Sequence, residues 1–179
     1  MIIAEYKKKE NIIEYILYIR QIVNIIRINN FDIDIINNLI IEKYEVGENK
    51  KAEIRDWYIN IINKIKSENI EKTGDLKFIK ELIEELNQIH LEMLSDSENY
   101  RHKELYRWAK SNIDEFKILS QSKSDNEIEI CINALNHLLL LRLQNIDISV
   151  ETLQAMQTFS NLLADIALKY KNSIVFQIV

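Results

Sequence analysis

The chain has 179 residues, 47% hydrophobic and 28% charged, with two glycines, no proline and one cysteine, and this length suits one domain that buries roughly 70% of its unfolded surface. Its 23 basic and 28 acidic residues leave a formal charge of −5, which disfavours whole-molecule attraction to nucleic acid or an anionic membrane. Two distant glycines cannot build a phosphate-cradling loop or a nucleophile elbow, and Cys131 alone can form neither an internal disulfide nor a paired-cysteine zinc site.

Without proline, helix breaks must come from Asn, Asp and Ser chemistry. The spacing of apolar residues predicts an all-α, single-domain helical bundle over residues 1–179, built of about seven mostly antiparallel helices. The first, Lys9 to Ile28, follows an N-terminus whose charges come after a very short apolar start, the reverse of a secretory signal, so a cytoplasmic protein is expected. Lys7-Lys8-Lys9 reads as a solvated helix start. Glu14, Arg20, Asn24 and Arg27 interrupt the most apolar stretch, which argues for a core helix and against a membrane span. On one face lie Glu14, Tyr18 and Gln21.

The second helix, Asp34 to Glu45, has Asp32 or Asp34 as N-cap. Gly47 and Gly74 fall in polar stretches where positive φ is expected after a helix. Between and beyond them, Asn49 to Glu68 carries Ile54, Trp57, Tyr58, Ile61, Ile62 and Ile65 at helical spacing, and Leu76 to Leu94 carries Ile79, Leu82, Ile83, Leu86, Ile89 and Met93. That period outweighs the β preference of so much isoleucine. Ser95-Asp96-Ser97-Glu98 and Ser124-Asp125-Asn126-Glu127 fit the S-x-x-E capping box before the next two helices, Glu98 to Ser120 and Glu127 to Asn145.

The fifth helix opens with interleaved basic and aromatic residues, and Arg101, Lys103, Tyr106, Arg107 and Lys110 form the alternative nucleic-acid surface. Leu105, Ala109, Ile113 and Phe116 make its inward stripe, so these basic groups read more simply as a solvated face. In the sixth helix, His137 and Arg142 sit among leucines and read most simply as a hydrogen-bonded core or boundary histidine and an arginine that snorkels or pairs with a carboxylate. The alternative is a polar ligand pocket with Glu14, Tyr18 and Gln21 between helices one and six, in which Glu14 and Arg142 form a buried or half-buried ion pair. Residues Asn87, Asn99 and Ala134 stand three places before His90, His102 and His137, so no Glu-x-x-His pair offers a di-iron site, and no metal or cofactor is expected. The seventh helix, Val150 to Tyr170, starts after Ser149. An uncharged apolar tail, 173–179, needs covering, either by the bundle or by a second copy, which motivates a homodimer.

Three stretches, Lys8 to Tyr18, Ile54-Arg55-Asp56-Trp57-Tyr58 and Ala134 to Gln144, resemble a bacterial all-helical family known as domain of unknown function 4924. The resemblance implies a helical domain of similar length and no activity. The expectation is a non-enzymatic protein-interaction module with a protein partner or itself, the alternatives being the polar pocket and the fifth helix on nucleic acid.

Overall fold

The computed structural model describes residues 1–177 of the backbone, and side chains apart from Ile2 and those after Ser173. Among these residues the regular structure is helical throughout: α1 (Ile2–Glu10), α2 (Ile12–Ile28), α3 (Ile33–Leu39), a short 3₁₀ turn (Ile41–Lys43), α4 (Glu48–Ser67), α5 (Lys77–Ser95), α6 (Tyr100–Leu119), α7 (Glu127–Leu143) and α8 (Val150–Gln177). No described helix is long and apolar enough to cross a membrane.

Four helices end without glycine in the same way. Asn30, Asn69, Gln121 and Asn145 all take φ between 52° and 54°. In each case the next residue donates back to the carbonyl five places earlier: Phe31 to Ile26, Ile70 to Ile65, Ser122 to Lys117 and Ile146 to Leu141. This is the Schellman closure, with Asn or Gln bearing the left-handed turn that glycine usually bears. Of the glycines, Gly74 has φ +101° as expected, but Gly47 is the N-cap of α4 at φ −65°, a conformation open to any residue.

Several expected boundaries move for local reasons. Asn11 splits the first predicted helix in two, its Oδ1 accepting from the Ile13 N–H at 3.0 Å. The Lys7-Lys8-Lys9 run therefore lies in the last turn of α1, where cations meet the negative end of the helix dipole. Asp32 caps α3 as expected. The two capping boxes do not form. Asn99 and Asn126 are the caps of α6 and α7, accepting from the N–H of His102 and Glu129, whereas Ser95 finishes α5 with its hydroxyl on the Glu92 carbonyl. An amide oxygen placed closer to the helix start does the work assigned to the serines. Helix α8 continues past Tyr170 to Gln177; the side chains of the apolar tail lie outside the described residues.

The chain divides into two compact units, Met1–Glu10 with Glu14–Lys80, and Asn11–Ile13 with Glu81 onward. In the first, α3 and the 3₁₀ turn pack with α4, and Ile16, Ile19, Ile36, Ile41, Tyr58 and Ile65 are fully or almost fully buried. Arginines seven residues apart on α2 clasp the connection before α5: Arg20 Nε reaches both Asp75 oxygens at 3.0 and 3.1 Å, and Arg27 donates to the carbonyls of Ile70 and Gly74 at 2.7 Å.

In the second unit α6, α7 and α8 pack mutually. His102 pairs with Asp165, Asn112 with Thr158 and Phe116 with Phe159, so α8 runs antiparallel to α6. The connection 120–126 doubles back along α6, marked by ion pairs Lys117–Asp125 and Lys110–Glu127 at 2.8 Å. Helix α7 therefore starts beside the middle of α6 and runs in the same sense, and its residues 134–141 line one cleft with residues 112–120 of α6.

Candidate functional site

Two features of the second unit carry polar groups in unusual settings. The first is a buried chain of imidazoles. His90 on α5 and His102 on α6 are 1% and 0% exposed. Their Nδ1 and Nε2 atoms respectively are 2.8 Å apart, and His102 Nδ1 lies 3.0 Å from Asp165 Oδ2 on α8. Arg101 Nε holds the other Asp165 oxygen at 3.2 Å.

Donors and acceptors fix the tautomers. The carboxylate only accepts, so His102 carries its proton on Nδ1; its neutral Nε2 then accepts from His90 Nδ1–H. That leaves the lone pair of His90 Nε2 buried with no hydrogen-bond partner. Burial, reinforced by neighbouring His102, pushes His90 down to about 4 against a weaker opposite pull from Glu127. Burial also lowers His102, opposed by Asp165. Both rings are therefore neutral near pH 7. Tyr106 packs against His90 with ring centroids 5.1 Å apart, and burial with Glu127 nearby pushes its phenol up to about 12. The arrangement joins α5, α6 and α8 through polar bonds in an apolar interior. Both rings are sealed from solvent, so the chain of hydrogen bonds satisfies polar groups that would otherwise be costly to bury.

The second feature is the cleft between α6, α7 and α8, with a volume of about 470 Å³, within the range of ligand pockets. Phe116 and Leu119 of α6, His137 and Leu138 of α7, and Met156 and Phe159 of α8 line it. Glu115 and Glu151, on α6 and α8, stand among its lining residues and are exposed. Bonds from its own backbone N–H and from Ser149 hold the Glu151 carboxyl below its ordinary value. Because α6 and α7 finish at the end where α8 begins, exposed apolar side chains gather there: Ile118, Leu119, Leu143, Val150 and Leu153.

The five residues expected to form a polar pocket are divided between the units. Glu14, Tyr18 and Gln21 belong to the first, where Lys7 Nζ bonds the Glu14 carboxylate at 2.9 Å. The Tyr18 hydroxyl donates to Met1 Sδ at 3.4 Å, and its pKa is raised by burial and by Tyr44 and Tyr58. His137 and Arg142 belong to the second unit. Glu14 and Arg142 are both exposed. His137 alone of the five lines the cleft.

On α6 the basic residues meet carboxylates: Arg101 meets Asp165, Arg107 meets Glu104 at 2.7 Å, and Lys110 meets Asp114 and Glu127 at 2.6 and 2.8 Å. Lys103 and Tyr106 are half-buried. Trp108, 57% exposed, is the aromatic of this segment most open to solvent apart from Tyr100. Among the described residues no group of three or more His, Cys, Asp or Glu side chains could hold a metal ion. Cys131 is buried, and its thiol is raised by that burial.

Sequence reasoning weighed His90 and His102 only as members of a Glu-x-x-His pair and did not single out Asp165, although the signal for a buried polar cluster was present. His90 falls on the buried stripe Ile79, Ile83, Leu86 and Met93; His102 lies seven residues before buried Ala109; Asp165 sits between Leu163 and Ile166. A polar residue on an inward stripe needs an internal partner, but the partner comes from another helix and has no fixed spacing.

No curated protein and no solved structure matches the chain. The family model described as Domain of unknown function (DUF4924) matches residues 1–174, and with nearly the whole sequence covered the chain belongs to that family.

Proposed function

We propose that this protein is a non-enzymatic helical module that binds a partner protein at the cleft between α6, α7 and α8. The observation that carries this reading is the cleft's apolar lining, close to an end of the helix trio where Ile118, Leu119, Leu143, Val150 and Leu153 remain exposed. Apolar surface gathered in one place is characteristic of an interaction site, whereas scattered exposed residues are ordinary. The buried His90–His102–Asp165 chain fits the same reading as a rigid support for the cleft's walls. Nucleic acid is the weaker reading, because Arg101, Arg107 and Lys110 already have carboxylate partners.

The test is affinity purification of the tagged full-length chain from its native cell, beside variants at two residues of the cleft lining, Leu119→Asn and Ala155→Gln. Circular dichroism confirms that each variant is folded. A protein retained by the wild type and lost with both variants is the expected result. Equal retention by all three, retention of nucleic acid alone, or no retained protein would contradict the proposal.

A further inference from the structure

Resting on the cleft as the binding surface, we infer that its occupant is an amphipathic helix of a partner protein, carrying lysine or arginine beside its apolar anchors. Charge and extent both point to this occupant. Glu115 on α6 and Glu151 on α8 place exposed carboxylates on two of the three walls, and no lysine or arginine of the described residues pairs with either. The same lining includes apolar Phe116, Leu138, Met156 and Phe159 beside polar Asn112, Thr152 and His137. Apolar anchors spaced at three, four and seven residues would enter such a groove, with flanking cations meeting the acidic walls.

A small cationic amphiphile would satisfy the same charge. It would, however, leave Ile118, Leu143 and Val150 exposed beyond the cleft lining, surface that the length of a helix can cover. A second copy of this chain is a poorer match, since each copy is acidic at −5 and the basic residues Arg101, Arg107 and Lys110 are engaged within the chain.

The experiment uses the full-length chain and three labelled helical peptides of identical apolar pattern, whose flanking positions are Lys, Gln or Glu, with fluorescence anisotropy as readout. The Lys peptide is expected to bind the wild type about tenfold more tightly than the Glu peptide, the scale of two exposed ion pairs lost and replaced by repulsion. The order should reverse for Glu115→Lys with Glu151→Lys, both exposed positions, with circular dichroism confirming that the double variant is folded, since Glu151 lies in the first turn of α8. Equal binding of all three peptides, lost with Leu119→Asn, would overturn the charged occupant while leaving the cleft as the binding surface. No peptide binding, or binding unchanged by Leu119→Asn and Ala155→Gln, would overturn both. Binding of dodecylammonium without any peptide, or a doubled molar mass of the free chain by light scattering that Leu119→Asn restores to one copy, would replace the occupant and so also overturn the inference.

Discussion

Removal of the titrating group His90 should change how stability depends on pH. In the folded chain burial holds His90 down to about 4, against an ordinary value of 6.5 once unfolded. As pH falls below about 6.5 the unfolded chain takes up a proton that the folded chain refuses. This contribution to stability is therefore complete above pH 6.5, is lost progressively towards pH 4, and changes no further below that. A gap of about 2.5 pH units at 1.36 kcal/mol each amounts to about 3 kcal/mol. His90→Leu abolishes this term while leaving the carboxylates, whose acid titration is common to both proteins. The variant is expected to be less stable at pH 7.5, because it leaves His102 Nε2 buried without a donor. Its deficit should shrink by about 2.5 kcal/mol between pH 7.5 and pH 4.5, the remainder of the term being lost below that. Urea unfolding followed by circular dichroism at half-unit pH steps gives both curves. Parallel decline of wild type and His90→Leu over that range would refute the buried, neutral imidazole chain.

The clasp on α2 should be sensitive to the loss of one partner. Asp75→Ala leaves the Arg20 guanidinium, whose side chain is 9% exposed, without its carboxylate and should cost about 3–5 kcal/mol in urea unfolding, whereas Arg20→Met with Asp75→Leu together should cost much less. Gln121 bears a left-handed φ of 52°, so Gln121→Gly should stabilise the chain by about 1 kcal/mol, read as a shift in denaturation midpoint at unchanged slope. Cys131, buried and with its thiol raised, should react with a disulfide reagent in native buffer at a rate set by unfolding, rising in step with the unfolded fraction as urea is added.

The fold was legible wherever period and local chemistry act within one helix. Ile54, Tyr58, Ile61, Ile62 and Ile65 recur at the helical pitch and are all buried, because a face of that width must be covered. The helix ends were legible in kind, since Asn and its neighbours had to replace glycine, but not always in place: Asn11 was hidden inside an apolar run, and Asn99 and Asn126 displaced the serines that resembled capping boxes. The sense of α7 relative to α6 depends on a connection that doubles back through Asp125 and Glu127, whose partners Lys117 and Lys110 lie eight and seventeen residues away and follow no local rule. The candidate site was less legible still. His137 was singled out because its surroundings are apolar, and it does line the cleft, but those surroundings said nothing of which face it occupies. His90, His102 and Asp165 come from three helices, so their pairing became visible only once α5, α6 and α8 were assembled.

The cleft as a binding surface is tested most directly by amide hydrogen exchange of the full-length chain with and without the lysine-bearing helical peptide. New protection is expected in residues 112–120, 134–141 and 151–159, the segments that line the cleft, with the exchange of α4 unchanged. Protection confined to α4, or to the Arg101–Arg107 segment of α6, would contradict it.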